Sequence, residues 1–459
     1  MKMSPAASNR ALAAEILLSW EEGRRTAAEL LEQTLPHAES RGQVTDLVLG
    51  VIRNRTLLDT LLAAAAEMKP AFVEKDLMIL LRLGAYELVF CPDTADYAIL
   101  SETASLAGRQ ARRRGFVNAV LRRLQRAIED RRRPEEGTDP RCWIPTKIPL
   151  GCLLKEPLLP EPSTQPADYY STVFSMPKWL VERWLQDYDL EALRQICLAS
   201  NRIPSIILQP NTLKTTAPRL AELLKSEAVQ AELNAEQTML RIHTRRYLPD
   251  LWTFQKGYFF VQDPTAAKTA AMLPVQPGSV VLDLCAAPGG KTLQLAMMMK
   301  NQGRIIAADA DSQRLRKVEE NCRRLEITCV QCVQPEQIKQ TLGAKNKVQA
   351  VLLDVPCSNT GVMARRAEVR WRLKPETIPE LVQRQKDLLE QAAGWVRKYG
   401  LLLYSTCSIL PEENQLLVQE FLRNRKEFKL EKEELTLPFC GSKEVFAHDG
   451  GYAALLRKQ

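Results

Sequence analysis

Two cysteines, two aspartates and a lysine stand where apolar runs of the chain give way to turns, and such side chains can carry covalent catalysis. The runs are Ser279–Asp283, Arg304–Ala308, Val348–Asp354 and Gly400–Ser405. The first opens into Leu284-Cys-Ala-Ala-Pro-Gly-Gly-Lys291-Thr292 and the second into Asp309. The third opens into Asp354-Val-Pro-Cys357-Ser-Asn-Thr-Gly361, and the fourth into Ser405-Thr-Cys407-Ser408. A thiol is partly ionised near neutral pH, adds to electron-poor carbon reversibly, and is sharpened by a nearby cation such as Lys291.

The glycine-rich turn is the second chemical feature. Two glycines let the backbone approach a ligand closely, and the helix that follows offers free N–H groups to an anion. An ATP-type loop needs glycine six positions before the lysine, where this chain has Cys285, and the dinucleotide pattern G-x-G-x-x-G is absent. A methyltransferase cofactor loop remains, with Asp309 placed to hold both ribose hydroxyls of an adenosine. The same Asp309 also suits a helix cap before Ser312.

A methyl donor beside two thiols and a carboxylate fits one reaction well. Carbon 5 of cytosine is too weak a nucleophile to attack a sulfonium methyl unaided. A thiolate adding to carbon 6 makes the ring an enamine whose carbon 5 can attack, and loss of the carbon-5 proton then expels the sulfur. The base must be splayed out of its stack. Either cysteine alone reads as structural, and strand-end chemistry does not say which of them attacks.

The elements that position these groups follow from the pattern. Apolar strands alternate with amphipathic helices after about residue 251, which predicts a doubly wound, mostly parallel sheet with ligands at the carboxyl ends of its strands. From about Ser8 to Ile128 the pattern is helical, with Leu12, Ile16 and Trp20 at four-residue steps after a Ser8 cap. Leu77–Tyr86 is apolar on nearly every side and should be the central helix of an all-α bundle. Periodicity lapses between about 129 and 170, where eight prolines fall, and the stretch reads as a linker. A small α+β insert is expected over 171–250 and the cofactor domain over 251–459.

With 459 residues, 45% hydrophobic and 26% charged, the chain is expected to form several globular domains. A net charge of +8 suits a polyanion, and arginines gather between Arg109 and Arg133, either as a solvated face or as an RNA contact. No apolar stretch is long enough to span a bilayer, and Arg10 and Glu15 interrupt the first apolar run, so a reducing cytoplasm is expected. Cys329-x-x-Cys332 lacks a second such pair and nearby histidines, and reads as packing rather than a metal site.

Asp283–Lys291, Asp354–Gly361 and Tyr404–Asn414 closely resemble three motifs of the RNA cytosine-5 methyltransferases of the RsmB (Sun/Fmu) type. The likeness extends to Val261–Pro264, Arg370-Trp371 and the tail from Asp449 to Lys458. Gly50–Arg53, Leu81–Tyr86 and Gly115–Arg122 resemble the NusB-like helical RNA-binding domain that marks this branch. The resemblance implies a NusB-like domain over 1–128, RNA binding by the α+β insert, and a Rossmann-like methyltransferase domain. It implies S-adenosyl-L-methionine as cofactor and one particular cytosine of 16S ribosomal RNA as target. Cys407 is similar to the family's nucleophile, and Cys357 to the second cysteine that helps release product. Cys285, Ala286, Ala287, Pro288, Gly289, Gly290, Lys291, Asp309 and Asp354 fall on cofactor positions, with Lys291 and Asp354 also close to the base.

The chain departs from the family pattern in places. Ile327–Pro335 lacks the acidic residue usual near the adenine, leaving Gln334 or Glu336 to substitute. Gln209-Pro210 precedes Asn211 where an arginine is common, Gly451-Tyr452 replaces an aromatic pair, and the proline-rich stretch is long. The expected partner is 16S ribosomal RNA, with no membrane and no metal, and a monomer is the working expectation. Two alternatives stand beside this reading: the same reaction on transfer RNA or another ribosomal site, and a non-catalytic RNA-binding assembly factor.

Overall fold

A computed structural model describes residues 8–244, 246–343, 347–442 and 445–459. The chain forms two compact units, one of residues 1–202 with 370–372, the other of residues 203–369 with 373–459.

The first unit begins with seven helices: α1 (Asn9–Glu21), α2 (Ala27–Thr34), α3 (Arg41–Arg53), α4 (Arg55–Ala66), α5 (Lys75–Phe90), α6 (Asp96–Ser105) and α7 (Ala111–Ala127). Ser8 caps α1 by accepting the Ala11 N–H at 3.3 Å, and Leu12, Ile16 and Trp20 are buried as their spacing requires. Every residue of α5 from Leu77 to Val89 is buried. The two charged residues within that buried stretch are paired: Arg82 donates to Asp59 at 2.7 Å, and Glu87 accepts from Arg10 at 2.7 and 2.8 Å.

The expected linker is instead a small antiparallel sheet in the order β1-β3-β2, made of β1 (Ile128–Pro134), β2 (Trp143–Lys147) and β3 (Leu150–Leu154). Its strands are too short and too interrupted by proline for alternation to show in the sequence. Pro134 closes β1 and Pro149 lies in the turn between β2 and β3. The buried Trp143 ring packs on Gly151 and donates its indole N–H to the Arg133 carbonyl at 3.0 Å. Helices α8 (Pro166–Val173), α9 (Lys178–Asp187) and α10 (Leu190–Asn201) complete this unit, and the Ser175 hydroxyl accepts the Leu57 N–H of α4 at 3.1 Å. The division at residue 202 thus cuts through the 171–250 insert. Within the same unit the buried Arg370 guanidinium donates to the carbonyls of Arg53, Phe174 and Ser200 and to the Asn201 side chain.

The second unit opens with a sheet ordered β5-β6-β4-β7, from β4 (Ile206–Pro210), β5 (Gln230–Leu233), β6 (Leu240–His243) and β7 (Phe259–Val261). Helices α11 (Ala217–Ser226) and α12 (Trp252–Gln255) lie between its strands in sequence. After α13 (Pro264–Ala271) comes a larger sheet, ordered β10-β9-β8-β11-β12-β14-β13 among the described residues. Its strands β8 (Val280–Leu284), β9 (Arg304–Ala308), β10 (Val330–Val333), β11 (Val348–Asp354) and β12 (Val396–Thr406) run parallel. β14 (Gly451–Lys458) runs antiparallel to β12 and to β13 (Phe428–Thr436). Helices α14 (Gly290–Met298), α15 (Ser312–Leu325), α16 (Ile338–Leu342), α17 (Val369–Arg372), α18 (Thr377–Trp395) and α19 (Gln415–Asn424) connect the strands.

The central strands are apolar throughout because both faces are covered. Leu282, Ile306, Val351 and Leu402 enter one core, and Val281, Ile305, Leu352 and Leu403 the other. Cys329 and Cys332 pack, partly buried, against the second core, which includes Cys322. No described helix is long and apolar enough to cross a membrane.

Removing one member of a buried ion pair leaves the other charge uncompensated. Glu87→Ala should therefore cost about 3 kcal/mol in urea unfolding of the helical signal, softened by the contact of Arg10 with Glu102.

Candidate active site

The sheet's register brings the strand ends to one rim. Leu284 stands opposite Ala308 and Leu353, and Asp354 opposite Ser405. The residues that follow, Cys285, Asp309 and Cys407, therefore emerge side by side with Asp354. The chain leaves β8 toward β9 on one side and returns to β11 on the other, so the rim between β8 and β11 is the topological switch point where ligands bind.

The loop after β8 is fixed by side chains of its neighbours. Cys285 and Gly289 have positive φ, 63° and 104°, which turns the chain sharply into α14. Asp309, 7% exposed, accepts the Ala287 N–H at 3.1 Å and the Asp311 N–H at 2.9 Å. Arg314 donates to the Ala287 carbonyl at 2.6 Å. The helix cap is Asp311, which accepts from Gln313 and Arg314, so the capping role considered for Asp309 belongs two residues later. Each Asp309 oxygen keeps a second lone pair for a ribose hydroxyl. A Cβ at Gly290, the first residue of α14, would meet only the Gln262 amide, at 3.9 Å, so the first turn of the helix has room on that side. This cradle fits a nucleoside whose tail carries a carboxylate.

Cys357 and Cys407 lie with their sulfurs 3.1 Å apart. The Cys407 thiol donates to Asn359 Oδ1 at 3.2 Å, and Asn359, at φ 61°, also donates its amide to the Cys357 carbonyl at 2.7 Å. The Gly361 N–H donates to the Cys407 carbonyl at 2.9 Å, and the Gly450 N–H to the Gly361 carbonyl at 2.8 Å. A Cβ on Gly361 would fall 2.7 Å from the Gly450 backbone, so only glycine permits this closure.

The charged groups of the rim are paired. Lys291 Nζ lies 2.6 Å from Asp354 Oδ2, and the Ser405 hydroxyl donates to Asp354 Oδ1 at 2.7 Å. Burial works to lower the Lys291 pKa, but the Asp354 carboxylate and the Cys407 thiol outweigh it and the net shift is upward. The ammonium therefore stays charged beside that thiol. The hydrogen bond with Cys407 and burial push the Cys357 thiol well up. Burial, with Asp309 and Asp283 adding to it, raises Cys285 to about 12, which makes it a poor nucleophile.

The expected site residues Cys285–Lys291, Asp309, Asp354, Cys357 and Cys407 all stand at strand ends or in the loops of this rim. Asn359, Ser405 and the fully buried Glu413 were not singled out. The repeated Cys-Ser at positions 357–358 and 407–408 was the available signal, since a buried hydroxyl needs an acceptor, but it does not point to Glu413 in particular. Among the described residues no cluster of three or more His, Cys, Asp or Glu is placed to hold a metal ion.

Asp283 lies beneath the rim, and burial raises its carboxyl to about 7 against a hydrogen bond from Thr292. The folded state thus holds a proton that the unfolded chain, at 3.8, releases, and this contribution to stability is lost as pH rises from 3.8 through about 7. The stability of Asp283→Asn relative to the unsubstituted protein should rise across that window. A difference independent of pH would contradict the assignment.

Comparison with known proteins matches three separate stretches of the chain. The family described as 16S rRNA methyltransferase RsmB/F matches residues 270–445, the NusB family residues 7–126, and the Methyltr_RsmF/B-like ferredoxin-like domain residues 176–246. The Probable ribosomal RNA small subunit methyltransferase B of Synechocystis sp. is 32% identical over 86% of this chain and 83% of its own. The protein of the same description from Bacillus subtilis is 28% identical over 98% and 99%. Among solved structures, PH0851 superposes with a TM-score of 0.71 at 24% identity over the whole of both chains, a likeness of fold. With a cofactor cradle and paired cysteines on one rim and this match along most of its length, the chain belongs to the ribosomal RNA small subunit methyltransferase B family of S-adenosylmethionine-dependent enzymes.

Proposed function

We propose that this protein methylates carbon 5 of a cytosine in 16S ribosomal RNA through a covalent adduct at carbon 6, with Cys407 as nucleophile. The observation that carries this is the pair of thiols, 3.1 Å apart, beside the Lys291–Asp354 pair. When bound, S-adenosylmethionine supplies an electrophilic methyl group. Cys285 through Gly290 would hold it with their backbone, and Asp309 would hold its ribose.

Cys407 is the better nucleophile of the two. It is the more exposed, and the Lys291 ammonium stands beside it. Its sulfur bonds to carbon 6 and the ring electrons move toward carbon 5. Lys291 and Asp354 flank the base, each held by the other, so neither needs to reorganise as charge develops on the ring. After methyl transfer a solvent water takes the carbon-5 proton, the electron pair of that C–H bond re-forms the double bond to carbon 6, and the carbon–sulfur bond breaks with its pair returning to Cys407. Cys357, buried and protonated, donates a hydrogen bond to that departing sulfur.

Arginine contacts supply RNA affinity in this reading. Arg112 and Arg114 are exposed at the start of α7, whereas Arg113 is paired with Glu74 and Asp76, and Arg131 with Asp96. The run therefore divides into arginines paired with carboxylates of the bundle and exposed arginines with no carboxylate partner among the described residues, of which Arg114 donates to the Arg109 carbonyl. Arg112→Glu with Arg114→Glu should weaken RNA binding and flatten its salt dependence by about one unit of slope per lost phosphate contact, with cofactor binding intact. Unchanged affinity would remove the basic surface from the account.

The reaction is tested by transfer of labelled methyl to unmodified 16S RNA. Label should appear at one cytosine, vanish with Cys407→Ala, and give way to a stable protein–RNA adduct with Cys357→Ala. Label on transfer RNA alone would overturn the substrate, and label retained by Cys407→Ala would overturn the nucleophile.

A further inference from the structure

We propose that Glu413 is a positioning residue that locks the two cysteine loops together through the serine following each cysteine. The inference rests on the assignment of Cys407 as nucleophile and Cys357 as its assistant.

Glu413 lies in the short turn between β12 and α19 and is fully buried. One carboxylate oxygen accepts the Ser358 N–H and the Gln385 side-chain amide, each at 2.8 Å. The other accepts the hydroxyls of Ser358 and Ser408. The four acceptor positions of a carboxylate are thereby filled. The hydroxyls continue the network: Ser358 and Thr360 each lie 3.0 Å from Ser408, the Leu410 N–H donates to Ser408 and the Ile409 N–H to Thr360. Gln385 also donates to the Pro356 carbonyl at 3.0 Å, on the other side of Cys357. Each loop is therefore gripped within one residue of its cysteine, and both grips end on one carboxylate.

A buried charge is a costly way to join two loops. Its partners here are two hydroxyls, a peptide N–H and a carboxamide rather than a cation. A glutamine could still accept from the N–H and the carboxamide, but its own amide would face two hydroxyls that donate to the carboxylate, one of which already accepts from the Leu410 N–H, so the join between the loops would have to shift. The charge itself has a use, because it faces Cys357 and adds to the hydrogen bond and burial that keep that thiol protonated. The titratable groups facing Cys357 are Cys407, Glu413 and the Tyr404 phenol, whose hydroxyl donates to the Glu413 carbonyl at 2.7 Å. One residue thus sets both the spacing of the sulfurs and the difference between them.

The test uses the full-length protein, with Glu413→Gln to remove the charge and Ser408→Ala to remove one grip while keeping it. Four quantities are measured: kcat, KM for RNA, affinity for S-adenosylhomocysteine, and the pH dependence of Cys357 alkylation by a small neutral reagent. A displacement on the order of 1 Å at a reacting group can cost about 100-fold. Glu413→Gln should lose about 100-fold in kcat, and Ser408→Ala about 10-fold, with KM and cofactor affinity within about twofold. Alkylation of Cys357 should move to lower pH in Glu413→Gln and stay in place in Ser408→Ala.

Unchanged kcat, a kcat loss matched by lost cofactor affinity, or an unmoved alkylation profile in Glu413→Gln would overturn the inference. Trapping of the RNA adduct by Cys357→Ala is the control. Without an adduct on Cys407 the cysteine assignment fails and takes this inference with it, whereas an adduct together with an indifferent Glu413→Gln removes Glu413 alone.

Discussion

The parallel register of β11 and β12, which sets Asp354 opposite Ser405, decides which side chains can meet. β11 ends at that pair and β12 one residue beyond it, and each following turn delivers a cysteine. Because the strands are buried on both faces, a slip of one residue would move their side chains into the wrong cores, so packing holds the register firmly. The Sγ–Sγ distance of 3.1 Å is thus a consequence of how two apolar strands pack. Gly361 then closes the arrangement, letting the turn after Cys357 lie against both Cys407 and Gly450.

Charge is distributed around the sulfurs unevenly. Lys291 and Asp354 form a pair open to the rim, with side chains 17% and 35% exposed, where a substrate can reach them. Glu413 and Asp283 are buried behind the rim, the first wholly hydrogen-bonded and the second pushed toward neutrality. Two thiols alike in sequence context are made unlike by these surroundings: one next to a cation, the other buried and next to an anion. Environment, rather than residue type, gives them separate work.

Much of this was readable before any coordinates. The strands Arg304–Ala308 and Val348–Asp354 have the bounds their apolar runs suggested, and α5 is buried on all sides as its composition required. The cysteines at two strand ends followed from the doubly wound pattern. The small sheet of β1, β2 and β3 did not, because strands of five to seven residues, with Pro134 and Pro145 inside two of them and Pro149 in the turn between β2 and β3, leave no period to detect. Arg131, Arg113 and Glu413 show the same limit for charge. In sequence the first two belong to a basic run and the third to an acidic pair with Glu412, yet each is committed to partners far along the chain. Such partners are set by tertiary packing, which local pattern does not encode.

The central claim is that a covalent bond forms between Cys407 and the target base, and it can be read directly by replacing the target cytosine with 5-fluorocytosine. Fluorine cannot leave as a cation, so the adduct formed after methyl transfer cannot collapse. Incubation with S-adenosylmethionine, digestion and mass spectrometry should find one methylated fluorocytosine on the peptide containing Cys407. Attachment at Cys357, or methylation with no attached RNA, would contradict the account.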